Sequence, residues 1–180
     1  MTGRDEVELK PILLNGTYAI MKTYTKPYAS CRYTHPSVEA AIHLRERVRV
    51  EDIERIDIKT YSLAVAGHDH TDIPGSYSAK MSIPYATAAG FIYGKAGLQE
   101  FSEERVCGKA IFDLTKKIHV EPDAELSALF PGIQAAIVNV TRRDGSILTE
   151  RVDFPKGEPE NPLDEMEFKS RYDDLMKYGH

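Results

Sequence analysis

Apolar and polar positions alternate along this chain with two different periods. Val38, Ala41, Ile42, Leu44 and Val48 recur at helical spacing, while Glu39, Arg45, Glu46 and Arg49 fall off that stripe, which predicts an amphipathic helix. Pro36 suits its first turn, where a missing N–H costs nothing, and Thr34 or His35 is the expected cap. The period then shortens. Across residues 49–65, Ile53, Ile56, Ile58, Tyr61, Leu63 and Val65 alternate with a phase slip, so a long bulged strand is expected. GHDHTDIPGS, residues 67–76, reads as a loop. SIPYATAAGFIYGK, residues 82–95, is the second helix, with Ser82 as N-cap, Pro84 in the first turn and Gly94 as the stop.

The second half continues the pattern. Residues 102–117 read as one helix and residues 117–122 as a short strand. Residues 133–154 hold two β-rich runs joined at Asp144-Gly145, a hairpin. PKGEPENP, residues 155–162, is a rigid turn into a last helix, with Asn161 as its cap and Pro162 in its first turn. That helix, residues 163–179, reads as amphipathic, with Leu163, Met166, Phe168, Tyr172, Leu175 and Met176 as its apolar residues. The start is a lead-in, with an Asn15-Gly16 turn signal in a stretch of mixed character. Several strands with packed helices, one pair of them a hairpin, make an α+β domain with a small mixed or antiparallel sheet.

Composition narrows the partners. The 180 residues are 42% hydrophobic and 28% charged, an ordinary globular balance for one domain. A net charge of -5, with no Lys/Arg run longer than two, argues against nucleic acid. No apolar run spans a bilayer, and the charged N-terminus lacks the apolar core of a signal peptide. Cys31 and Cys107 form neither a disulfide framework nor a zinc pattern, so a reducing cytoplasm is the default location.

Chemistry concentrates at two helix starts. The first carries Ser30, Cys31, Arg32 and His35, and the second Lys80, Ser82 and Tyr85. Free N–H groups and a partial positive charge there suit a carboxylate or phosphate, and neighbouring cations and hydroxyls add to the attraction. His35 and Tyr85 are candidate proton carriers. The plain alternative makes the same residues caps and core, and composition alone favours it. Cys31 reads as a small half-buried side chain rather than a nucleophile. His68 and His70 sit on a solvated loop without a second cluster to complete a metal site. Arg142 and Arg143 read as a solvated hairpin tip.

The order of four segments carries a resemblance. YASCRYTHPSVEAAIHL, DIERIDIKTY, AKMSIPYATAAGFIYG and the stretch from DGS to PKGEPENPL together resemble the C-terminal part of the MmgE/PrpD family. The resemblance covers residues 20–180 and leaves residues 1–19 as lead-in. It implies the smaller α+β lid of a two-domain, cofactor-independent lyase or isomerase, such as 2-methylcitrate dehydratase, cis-aconitate decarboxylase or iminodisuccinate epimerase. Neither metal nor organic cofactor is implied. The implied substrate is a small di- or tricarboxylate, with His35, Lys80 and Tyr85 catalytic and Arg32, Ser30 and Ser82 contacting it. The family's helical domain has no counterpart in these residues, so the expectation is a domain inactive alone, with a helical partner in trans and self-association as a homo-oligomer. A stand-alone binding module derived from the same domain is the alternative.

Overall fold

The computed structural model describes residues 18–178, and residues 1–17 of the lead-in, with the Asn15-Gly16 turn, lie outside them. The main elements, in chain order, are α1 (His35–Leu44), β1 (Ile53–Thr60), α2 (Ser62–Val65), α3 (Ser76–Met81), α4 (Ile83–Tyr93), α5 (Glu103–Val106), α6 (Lys109–Thr115), β2 (Ile118–Pro122), α7 (Ala124–Leu129), β3 (Ala136–Arg142), β4 (Ile147–Val152) and α8 (Glu165–Tyr178). The four strands form one mixed sheet in the order β2-β1-β3-β4. β1 runs parallel to β2 and antiparallel to β3, and β3 and β4 make the hairpin. The fold is α+β, as the alternation of periods implies.

Apolar side chains explain the layers. Ile56, Ile58, Val138 and Val140 face a core closed by Val38, Ala41 and Leu44 of α1 and by Phe91 of α4. α4 is buried from Ile83 to Phe91, so it forms the centre of the helical layer and not an amphipathic surface helix. It lies so close to α1 that a Cβ at Gly90 would come 2.9 Å from both the Ala41 Cβ and the Val38 carbonyl oxygen. Gly94 ends α4 in the left-handed region, with φ 68°, as its stop position requires.

Three sequence expectations change, the expected bulge is present, and α3 and α7 are elements the sequence did not show. The strand expected over 49–65 ends at Thr60, because Tyr61 and Ala64 are the buried positions beyond it, a helical spacing that turns the chain into α2. The phase slip between Ile53 and Ile56 is a register shift in the β1–β3 ladder, between Ile53 and Arg55. The helix expected over 102–117 is two: Gly108 has extended backbone (φ -67°, ψ 129°) and starts α6 anew. α3 and α7 are too short, at six residues each, to show a period. The cap of α8 is Asp164, not Asn161. Asp164 accepts from the Glu167 N–H at 2.8 Å while Glu167 accepts from the Asp164 N–H at 2.8 Å, a reciprocal capping box.

Glu39 also departs from its polar position. It is only 7% exposed. The Lys156 N–H, the Asn161 side-chain amide and the Tyr28 hydroxyl donate to its carboxylate, which pins residues 155–162 onto α1. Burial raises its pKa, opposed by the Lys156 and Asn161 hydrogen bonds and by the charges of His43 and Lys156.

Candidate active site

The chain ahead of α1 is stitched to two loops and to the end of α3. Thr25 N–H donates to Gly157 O at 2.9 Å, Ala29 N–H to Ala96 O at 2.8 Å, and Cys31 N–H to Lys80 O at 2.8 Å. These bonds hold the stretch from Tyr24 to Cys31, which bends at residues 28–30, against the rest of the domain. They also bring the two helix starts singled out in the sequence side by side, through Cys31 and Lys80.

His35 is fully buried at the head of α1. Its Nε2 lies 3.3 Å from the Ser30 carbonyl, which can only accept, so Nε2 carries the proton. Nδ1 of the neutral ring is then the acceptor, and the Tyr24 hydroxyl donates to it. The rings of Tyr24 and Tyr28 meet the imidazole edge-on, with centroids 5.5 and 5.1 Å away. Burial pushes the His35 pKa down to about 3; the Ser30 hydrogen bond opposes this, while Arg32, Lys26 and Arg171 add to it. The imidazole is therefore neutral across the physiological range. Burial likewise raises the Tyr24 pKa, with Arg32 pulling the other way.

Arg32 completes this group. Its guanidinium lies over the Tyr24 ring, 4.6 Å from the centroid. Nη2 pairs with the Glu158 carboxylate. Nη1 is buried and has no hydrogen-bond partner among the described residues. A buried guanidinium N–H left unpaired is costly, and it keeps an unused donor at this group.

The other expected residues are placed as follows. The Ser30 hydroxyl is buried and paired with Thr34 Oγ1 at 2.7 Å. Lys80 is half-buried at the end of α3 and joins the group through its carbonyl. Ser82 caps α4, accepting from the Tyr85 N–H at 3.1 Å, and its hydroxyl donates to His70 O at 2.6 Å. Tyr85 is buried with its hydroxyl donated to Glu100 O at 2.8 Å and its ring against Phe101. The structure thus brings His35, Arg32 and Ser30 together beside the Lys80 backbone. It gives Ser82 and Tyr85 bonds that brace α4. The amides at the head of α1 are not open to a ligand: a 3-10 turn over Arg32–Thr34 leads into the helix, and residues 35 to 41 are buried.

Three contributors were not singled out as site residues in the sequence: Tyr24, Tyr28 and Glu158. Tyr24 and Tyr28 stand four apart just ahead of SCRYTH, and that spacing of aromatic residues beside a histidine was the available signal. Glu158 lies 126 residues from Arg32 and carried no local signal. A second pair also forms. Cys31 Sγ lies 3.7 Å from His68 Nε2, and His68 Nδ1 donates to Ala66 O at 3.0 Å, which leaves Nε2 as the acceptor of the thiol proton. His70 turns to Ser78 Oγ at 3.0 Å, so the two histidines of the HDH loop go to separate partners.

Comparison with known proteins agrees with the fold and with the grouping of these segments. Cis-aconitate decarboxylase of Aspergillus terreus is 25% identical over 173 residues, which cover 86% of this chain and 35% of that protein. The chain thus spans about a third of the length of the curated relative it matches. No helix among the described residues is long and apolar enough to cross a membrane. With the MmgE/PrpD C-terminal domain model matching residues 28–179, nearly the whole described fold, the chain belongs to the MmgE/PrpD family.

Proposed function

We propose that this domain is the smaller, lid half of a cofactor-independent lyase or isomerase that moves a proton next to a carboxylate of a small di- or tricarboxylate. The observation that carries this is the buried, unpaired Arg32 Nη1 beside a neutral His35. A substrate carboxylate takes the free Arg32 donor, with Lys80 adding positive charge from the end of α3. Its negative charge then offsets the push of Arg32 on the imidazole and raises the proton affinity of His35. The substrate proton passes to the Tyr24 oxygen as the Tyr24 proton moves to His35 Nδ1. This leaves an imidazolium, and the reverse path returns the proton. For Tyr85 to take part, its hydroxyl must first leave the Glu100 carbonyl.

The rest of the site is assigned to a helical domain, carried on the same polypeptide or on a partner. The exposed apolar side of α8 supports such a contact: Phe168 is 57% exposed, Tyr172 55% and Met176 44%. The same face accounts for self-association of the domain when its partner is missing. The test has two arms. Calorimetric titration of this chain with cis-aconitate and citrate reads substrate binding, and turnover is assayed after mixing the chain with a family helical domain. Arg32→Gln is expected to weaken carboxylate binding about tenfold or more, since a charged hydrogen bond is lost. His35→Gln is expected to bind but not turn over. Equal binding by the wild type and Arg32→Gln, or full turnover by His35→Gln, would overturn the reading.

A further inference from the structure

The chain has eleven arginines, and five of them, Arg45, Arg47, Arg49, Arg142 and Arg143, line one open cavity of about 540 Å³. No lysine lines it, and its acidic members are Glu46, Asp52 and Asp144. Two of those arginines stand at the hairpin tip, which the sequence reads as a plain solvated turn. The antiparallel register places Arg142 opposite Ile53, and Arg143 N–H donates to Asp52 O at 3.0 Å. This folds the tip against the loop that follows α1. Arg45 directly follows α1, whose first residue is His35. Ten helical residues at 1.5 Å each put the cavity on the order of 15 Å from the His35 group, at the opposite end of the helix.

How the guanidiniums are held separates this cavity from an ordinary salt-bridged surface. Arg45 Nε donates to Phe91 O at 3.0 Å, Arg142 Nη2 to Arg47 O at 2.6 Å, and Arg143 Nε to Glu51 O at 3.0 Å. These acceptors are neutral backbone carbonyls. They orient the planar groups without cancelling their charge, and each guanidinium keeps further N–H donors. Arg47 and Arg49 are instead paired with carboxylates, Glu150 at 3.8 Å and Asp52 at 3.1 Å. The Asp144 carboxylate is turned to its own loop, accepting from the Ser146 N–H and hydroxyl. Three pre-oriented cations thus share one concave surface in a protein of net charge -5.

We infer that this cavity is a second binding site, for a small multivalent oxyanion, with linked phosphate groups as the class that suits it best. Fork-shaped guanidiniums match phosphate oxygens in pairs, and the volume exceeds what a single phosphate fills. The site is separate from the carboxylate site at His35 and does not depend on it.

Calorimetric titration of the whole chain with sodium tripolyphosphate tests this, with citrate as a second ligand to distinguish a phosphate from a polycarboxylate occupant. Arg143→Gln, at an exposed position, and Arg142→Gln are expected to lower affinity for the bound anion tenfold or more, with circular dichroism unchanged. Arg32→Gln is the control: it is expected to leave the tripolyphosphate affinity unchanged and to weaken only citrate held at the His35 site. Added sodium chloride should weaken binding steeply. Arg143→Gln alone decides if Arg142→Gln fails to fold, because Arg142 also braces the Arg47 carbonyl. Failure of both anions to bind overturns the inference. So does tripolyphosphate binding that is lost in Arg32→Gln and retained in Arg143→Gln, which assigns the anion to the His35 site.

Discussion

A buried neutral histidine makes stability depend on pH in a way that can be isolated. His35 titrates at its ordinary value of 6.5 when exposed by unfolding but is held down to about 3 in the fold, chiefly by burial. Below the unfolded value the unfolded chain takes up a proton that the native protein refuses. The contribution is therefore fully present above pH 6.5 and is lost as pH falls toward about 3. Each pH unit in that window costs about 1.4 kcal/mol, so lowering the pH to about 5 removes about 2 kcal/mol through this one group. Glu39 works in the opposite sense, because its raised pKa lets the native state take a proton before the unfolded one does. The measurement is therefore a difference. Urea unfolding followed by circular dichroism at about pH 8 and about pH 5, for wild type and His35→Gln, cancels every group the two proteins share. Wild type should lose about 2 kcal/mol more than the variant on acidification. An equal loss in both would refute the burial argument, and with it the neutral ring that the proton path requires.

Three further outcomes follow from single contacts. Gly157 has φ 93°, and a Cβ there would sit on the Thr25 carbonyl oxygen. Gly157→Ala should cost about 3 kcal/mol and lower Tm by about 9 °C, and a shift under about 2 °C would show that the loop yields. Tyr85→Phe leaves the buried Glu100 carbonyl without its donor and should cost about 1 kcal/mol in urea unfolding, whereas no change would mean that the hydroxyl is not held there. Iodoacetamide labelling read by peptide mass spectrometry compares half-buried Cys31 with exposed Cys107. His68→Gln should slow Cys31 and leave Cys107 unchanged, and equal effects on both would deny the thiol–imidazole pair.

Local sequence determined the features whose causes lie within a few residues. Ser82 caps α4, Gly94 ends it, Asp144-Gly145 turns the hairpin, and the slip between Ile53 and Ile56 marks the bulge. Each follows from backbone preference or from side-chain period, which act over one or two turns. Order along the chain also showed the family, and it pointed at His35, Arg32 and Lys80. What those groups do depends on distant partners. Glu158 reaches Arg32 across 126 positions, and Glu39 is buried by Lys156 and Asn161 from a loop more than a hundred residues away. The parallel pairing of β1 with β2, and the meeting of Arg142 and Arg143 with the turn after α1, are likewise consequences of register. Protonation and charge are set by what surrounds a group, not by its neighbours in sequence. Only the tertiary structure could bury His35 as a neutral imidazole, leave an Arg32 donor without a partner among the described residues beside it, and gather five arginines at the far end of the same helix.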